Sequence, residues 1–214
     1  MKHQVKICGL TQEEDVTKAI EFGARYLGFI IEAKSPRKLT IGQAVSLFKA
    51  SKGKAKRVAV TVNPDDRLLE CIAKDLQPDF VQFHGDETVD RLASISKRYD
   101  FGLIKAMPIA SDDDMKRASE YSGVADFLLF DAKPPKGSDI RGGHGIAIDW
   151  TIIQRAPLPK FYALAGGLTP NTITDALLAT NAPLVDVSSG VEQKAGIKDI
   201  QKMKTFIETV KHHR

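Results

Sequence analysis

Cys8 closes the run Val5-Lys6-Ile7-Cys8 and is followed by Gly9. A thiol, whose free pKa is about 8.5, becomes a proton-transfer group if its surroundings bring that value toward neutrality. The alternative is a buried cysteine that acts only as a small hydrophobe. Asp131 ends Phe127-Leu128-Leu129-Phe130-Asp131. Four apolar residues before it predict a poorly solvated carboxyl, which suits it to general acid catalysis. An aspartate that merely caps a turn would look the same. His84, in Val81-Gln82-Phe83-His84-Gly85, reads as a group that positions its neighbours by hydrogen bonding rather than as the proton carrier. Arg37, in Lys34-Ser35-Pro36-Arg37, offers a planar fork that matches a carboxylate. Read alone, it is better explained as a surface arginine on a turn. Cys71 falls inside a helical segment and reads as packing.

Two late segments suit an anion. They are Leu164-Ala165-Gly166-Gly167-Leu168-Thr169-Pro170 and Val185-Asp186-Val187-Ser188-Ser189-Gly190-Val191-Glu192. Glycines let the backbone approach a phosphate closely, and the N–H groups of a following helix terminus bind it. Gly166, Gly167, Ser188, Ser189 and Gly190 are the expected phosphate contacts. Asp186 either touches substrate or orders the last loop.

Apart from Cys71, each of these residues lies in or after a short apolar run. There are eight such runs: Val5 to Cys8, Tyr26 to Ile31, Val58 to Val62, Phe80 to Phe83, Leu103 to Met107, Phe127 to Phe130, Phe161 to Leu164, and Leu184 to Val187. Most are too short and too rich in β-branched and aromatic residues to be helices. Amphipathic segments lie between them. Asp15 to Phe22 carries Val16, Ala19, Ile20 and Phe22 on one face, and Ile41 to Phe48 carries Ile41, Ala44, Val45 and Phe48. Thr11 with Glu14 fits a capping box, and Thr40 precedes a helical run. Pro64 and Pro170 fit first helical turns. Lys198 to His212 reads as a closing helix. Near-continuous apolar strands alternating with helices imply a parallel sheet covered on its outer face. Eight units in this length predict an α/β fold, a single (β/α)8 TIM barrel over residues 1–214, rather than an open doubly wound sheet. Barrel chemistry sits at the carboxyl ends of the strands. The long connection 132–146, with Gly142-Gly143-His144-Gly145, is either a lid or disordered.

The bulk numbers narrow the field. The net charge of +4 and pI of about 9.0 fit a solvated basic surface or a potential that draws in an anionic ligand. The lysines are dispersed without interleaved aromatics, which argues against nucleic acid. The only cysteines are Cys8 and Cys71, with no CxxC pair and no histidine cluster at metal-ligand spacing. That argues against a disulfide framework or zinc. No apolar run reaches membrane-spanning length, and the N-terminus lacks a signal-peptide pattern. The expected setting is the cytoplasm.

In order, KICG, SPR, Q-x-HG, the Asp at the end of the sixth run, GG-x-G-x-x-x-DW, AGGL and DVSSGVE resemble the phosphoribosylanthranilate isomerase family nearly end to end. The resemblance implies an Amadori rearrangement in tryptophan biosynthesis. It casts Asp131 as the general acid on the ribose ring oxygen and Cys8 as the base at C2′. Arg37 becomes the clamp on the anthranilate carboxylate, and Gly166, Gly167, Ser189 and Gly190 the phosphate site. It implies no cofactor and no metal. The expected partner is the small-molecule substrate, with no nucleic acid or membrane, and the chain is expected as a monomer or homodimer. The sequence departs from the family at Gly28-Phe29-Ile30-Ile31-Glu32, where another aromatic is usual. It departs again at Gly143-His144-Gly145-Ile146-Ala147-Ile148-Asp149-Trp150, where Thr or Ser and then Phe are commoner. Two rivals stand beside this reading. A sugar-phosphate epimerase or lyase would favour paired carboxylates or metal-binding histidines. A non-catalytic phosphate sensor would have lost the acid or the base.

Overall fold

The computed structural model describes residues 3–133 and 148–213. His144 and the rest of the long connection beyond Lys133, up to Ala147, lie outside the described residues. Eight parallel strands form the barrel: β1 Gln4–Ile7, β2 Tyr26–Ile31, β3 Lys56–Thr61, β4 Phe80–Phe83, β5 Gly102–Ile109, β6 Phe127–Ala132, β7 Tyr162–Leu164 and β8 Leu184–Val187. Each pairs with the next in the chain, and β1 closes the ring by pairing with both β2 and β8. The helices α1 Glu13–Phe22, α2 Ile41–Ser51, α3 Asp66–Cys71, α4 Val89–Arg98, α5 Asp112–Ser119, α6 Trp150–Arg155, α7 Ile173–Thr180 and α8 Ile200–His212 come after the strands in turn. The eight predicted runs fall on the eight barrel strands. Among the described residues no helix is long and apolar enough to cross a membrane.

Several local expectations change. The N-cap of α1 is Gln12 without a side-chain cap, and the Thr11 hydroxyl instead donates to the Gly196 carbonyl. The cap of α2 is a full capping box between Thr40 and Gln43. Pro64 precedes the Asp65 N-cap of α3 instead of occupying its first turn. Pro170 lies in the Thr169–Thr172 turn ahead of α7. Lys198 is not helical. It ends a two-residue strand, Ile197–Lys198, which pairs antiparallel with Glu192–Lys194.

Two apolar layers hold the fold. One lies between strands and helices, and the other fills the barrel lumen. Successive strand residues face opposite ways, so every second residue enters the lumen. At the base, Phe127 meets Tyr26, Phe80 and Phe161 with ring centroids 6.1, 5.6 and 5.1 Å away. Val58, Val60, Ile104, Ala106, Leu129 and Ala163 fill the middle. Continuing the same alternation, Phe80 leads through Gln82 to His84, Phe127 through Leu129 to Asp131, Lys6 to Cys8, and Leu184 through Asp186 to Ser188. The aromatic plug thus fixes which side chains reach the carboxyl end of the barrel.

Candidate active site

A cavity of about 320 Å³ opens at that end. Cys8, Arg37, His84, Asp131 and Asp186 line it, together with the two small-residue segments Gly166–Gly167 and Ser188–Gly190. The structure therefore gathers Cys8, Arg37, His84, Asp131, Asp186 and the five expected phosphate contacts around one space, and leaves Cys71 outside it. Cys8 and Asp131 stand three strands apart around the ring.

Cys8 continues β1 by donating its N–H to the Val187 carbonyl (2.9 Å), and its side chain is buried. The electrostatics run against the condition set from the sequence for proton transfer, a thiol pKa lowered toward neutrality. Burial pushes the Cys8 thiol up, and Asp186 adds to the rise, while Lys6 and Lys198 oppose it. In the free protein the upward influences prevail.

Asp131 ends in two contacts. Its Oδ1 accepts from the N–H of Ala132 (2.8 Å), and its Oδ2 lies 3.3 Å from His84 Nε2. His84 Nδ1 in turn lies 3.2 Å from the Gln82 amide nitrogen. A Gln82 N–H donated to Nδ1 leaves the imidazole proton on Nε2, facing the Asp131 carboxylate. The Gln82 Oε1 is buried with no partner among the described residues. Turning the amide over would let Oε1 accept from Nδ1–H, and Nε2 could then accept a proton from Asp131. His84 thus stands between Gln82 and the Asp131 carboxyl group. The turn behind His84 is held by Lys105, which donates to the Gly85 carbonyl (2.7 Å) and to Glu87 (2.9 Å).

Arg37 is not on the surface. Ser35 Oγ accepts from its N–H, and its side chain is buried in a two-point pair with Glu192 (Nε–Oε1 2.7 Å, Nη2–Oε2 2.7 Å). Lys198 completes the cluster, donating to Glu192 (2.9 Å) and to the carbonyls of Cys8 (2.7 Å) and Ser188 (3.1 Å). This network ties together the segments beyond β1, β2 and β8. In the sequence Glu192 only ends a motif and Lys198 falls in the expected closing helix, so neither signals a role. One edge of the Arg37 fork is engaged by Glu192, and Nη1 donates to no described residue.

Burial pushes the Glu192 carboxyl up, but Arg37 and Lys198 more than offset it, so its pKa is lowered. A lowered folded-state pKa contributes stability that is present above the unfolded value of about 4.3 and is lost as pH falls through the folded one. Glu192→Gln should remove about 3–5 kcal/mol at neutral pH, because two buried cations lose their partner. It should also flatten the fall in stability below about pH 5. Urea unfolding across that range checks both; a variant with wild-type stability would show that the network contributes little.

The expected phosphate side is built from backbone. Gly166 and Gly167 adopt φ of +83° and +66°, where L side chains are strained. A Cβ on Gly190 would meet the Leu168 carbonyl oxygen at 1.9 Å, so the two loops are pressed together. The amides of Gly166, Gly167, Ser189 and Gly190 donate to no acceptor among the described residues. The Ser188 hydroxyl is buried and likewise unpartnered there. The expected helix terminus is displaced. α7 starts only at Ile173, and β8 leads into the single 3-10 turn Ser189–Val191, so loop amides are the available donors. Asp186 accepts from Lys6 at 2.9 Å, and among the described residues its carboxylate makes no hydrogen bond to the last loop. Among the described residues no group of three or more His, Cys, Asp or Glu is arranged to hold a metal ion.

Comparison with known proteins gives a consistent family. The family model described as N-(5′-phosphoribosyl)anthranilate (PRA) isomerase matches residues 5–209. The curated N-(5′-phosphoribosyl)anthranilate isomerase of Brucella canis is 43% identical over 210 residues, which is 98% of this chain and 95% of that protein. The crystal structure of phosphoribosyl anthranilate isomerase from Thermotoga maritima aligns with a TM-score of 0.86 at 33% identity, covering 98% of both chains. A phosphoribosyl anthranilate isomerase in complex with reduced 1-(o-carboxyphenylamino)-1-deoxyribulose 5-phosphate aligns at 0.84 with 31% identity, again over 98% of each chain.

Proposed function

Because the chain belongs to the N-(5′-phosphoribosyl)anthranilate isomerase family, we propose that its barrel mouth converts N-(5-phosphoribosyl)anthranilate to 1-(2-carboxyphenylamino)-1-deoxyribulose 5-phosphate, an Amadori step of tryptophan biosynthesis. One observation carries this reading: a thiol, a carboxyl group and two loops whose amides meet no acceptor among the described residues line the same cavity. Asp131 protonates the ribose ring oxygen, the ring opens, and a Schiff base forms at C1′. Cys8, as thiolate, takes the proton from C2′, so that an S–H bond forms as the C–H bond breaks. The resulting enolamine becomes the ketone by gaining a proton at C1′ and losing one from the C2′ hydroxyl. Substrate and product are isomers, and this chemistry calls for no cofactor or metal. Each correctly placed acid or base is worth about 10²–10⁴-fold.

The remaining assignments rest on the cavity. Gly166, Gly167, Ser188, Ser189 and Gly190 take the phosphate through N–H and hydroxyl donors, which gives the reacting carbons a fixed anchor. His84 orients Asp131. Arg37 takes the anthranilate carboxylate on the part of its fork that Glu192 leaves open. All of these groups belong to one chain, so residues 1–214 act as a single catalytic domain, as monomer or homodimer. The Thermotoga maritima relative is described as dimeric, with monomers generated from it.

The activity is tested with freshly prepared phosphoribosylanthranilate in a coupled assay that tracks loss of its fluorescence. Turnover supports the reading, and none at saturating substrate contradicts it. Arg37→Lys keeps a charge beside Glu192 but loses the planar fork. It should raise KM about tenfold or more with little change in kcat, the loss of one charge-assisted contact. A substrate analogue without the carboxylate should be indifferent to the change. Equal losses for both compounds would remove Arg37 from the clamp.

A further inference from the structure

Lys6 is completely buried in the barrel lumen, one inward step below Cys8 on β1. An ammonium in that setting is costly unless paired. Its partner is Asp186, directly opposite in the β1–β8 register, with Nζ 2.9 Å from Oδ1. Gly28 on β2 adjoins both Lys6 and Cys8. A Cβ there would come within 2.8 Å of the Cys8 sulfur and 3.2 Å of the Lys6 nitrogen. Sulfur and ammonium thus flank the same small space, and it is open because residue 28 has no side chain.

We propose that Lys6 is a positioning residue that stabilises the Cys8 thiolate, its ammonium held beneath the sulfur by Asp186. The inference rests on the reading of Cys8 as the base. A buried ion pair of this kind is weak evidence for stability, since apolar groups of similar volume often serve as well. Its location under the thiol gives it a different use.

The surrounding charges support that use. Burial is the largest influence on Cys8 and disfavours the thiolate. Lys6 is the strongest opposing group, ahead of the unfavourable Asp186, and Lys198 from the hairpin after β8 assists. Arg37, beyond β2, is also close enough to interact with Cys8. His84 and Asp131 share the cavity from β4 and β6. Burial would lower the Lys6 pKa, but Asp186 and Cys8 more than offset it, so Lys6 stays charged through neutral pH.

The test reads the thiol directly. In a Cys71→Ser background Cys8 is the sole cysteine, and the rate of its alkylation by iodoacetamide is measured against pH in the free enzyme. Lys6→Met should move the alkylation midpoint upward by about one pH unit, which is about tenfold slower labelling at neutral pH. The pH–rate profile should move the same way, and Lys6→Arg should retain most of the wild-type behaviour. Since Lys6→Met strands Asp186, the Lys6→Met/Asp186→Asn double variant provides a second readout without an unpaired charge. If Lys6 only balances Asp186 structurally, the double variant recovers the wild-type alkylation profile, and the inference is overturned. A midpoint that stays raised supports it. Cys8→Ala tests the base assignment separately, through kcat, so failure of one is not confused with failure of the other.

Discussion

Asp131→Asn is expected to lower kcat by about 10²–10⁴-fold with KM nearly unchanged. The substitution keeps the side chain's shape. The amide oxygen can still accept from the Ala132 N–H, and the group still faces His84 Nε2 across the distance now spanned by the carboxylate. What it cannot do is deliver a proton to the ring oxygen. An interaction needed only in the transition state is removed, so kcat and kcat/KM should fall together. The phosphate loops lie outside this change and should bind substrate as before. Steady-state kinetics on purified protein checks the split. A variant within a few-fold of wild-type turnover would strip Asp131 of the acid's role and point to His84 in its place.

Cys8→Ser should show a loss of similar size. A hydroxyl is nearly the same shape as a thiol but is far too weak an acid to exist as the anion near neutral pH, so the base is lost while the pocket remains. Stability should change little, because serine is nearly isosteric with the buried thiol it replaces. The wild-type pH profile gives a second check. Burial pushes the thiol up in the free protein, so the thiolate fraction grows as pH rises. kcat/KM, which reports the free enzyme, should therefore climb from neutral pH toward alkaline values. The serine variant should lose that climb. A wild-type profile already flat through neutrality would show that no group of raised pKa acts as the base.

The barrel was legible because parallel strands covered on both faces read as uninterrupted apolar runs, and β6 with its Phe127-Leu128-Leu129-Phe130 segment is an example. The places of Cys8, His84 and Asp131 at the cavity were legible because they end such runs, at the carboxyl side of the barrel. Lys6 was not. A lysine within a short strand looks like a solvent-facing residue, and only closure of the ring brings it against Asp186, 180 positions away in the chain. Glu192 and Lys198 were hidden for a related reason. Their two-strand hairpin is short and polar, and it has no periodicity to announce it. Its stability comes from contacts with Arg37 and the Cys8 carbonyl. Thr11 carried a capping signature that its hydroxyl spends on Gly196 instead. The direction of the Cys8 shift was also out of reach, because it depends on a balance between burial and charges drawn from β1, β8 and the hairpin after β8.

The most direct measurement is a crystal structure of this protein with reduced 1-(o-carboxyphenylamino)-1-deoxyribulose 5-phosphate. The phosphate should sit on the amides of Gly166, Gly167, Ser189 and Gly190, with C2′ beside the Cys8 sulfur, the C4′ oxygen at Asp131 and the aromatic carboxylate at Arg37. A ligand seated in the opposite sense, with its phosphate on Arg37 and its reacting carbons out of reach of both Cys8 and Asp131, would contradict the proposed acid and base.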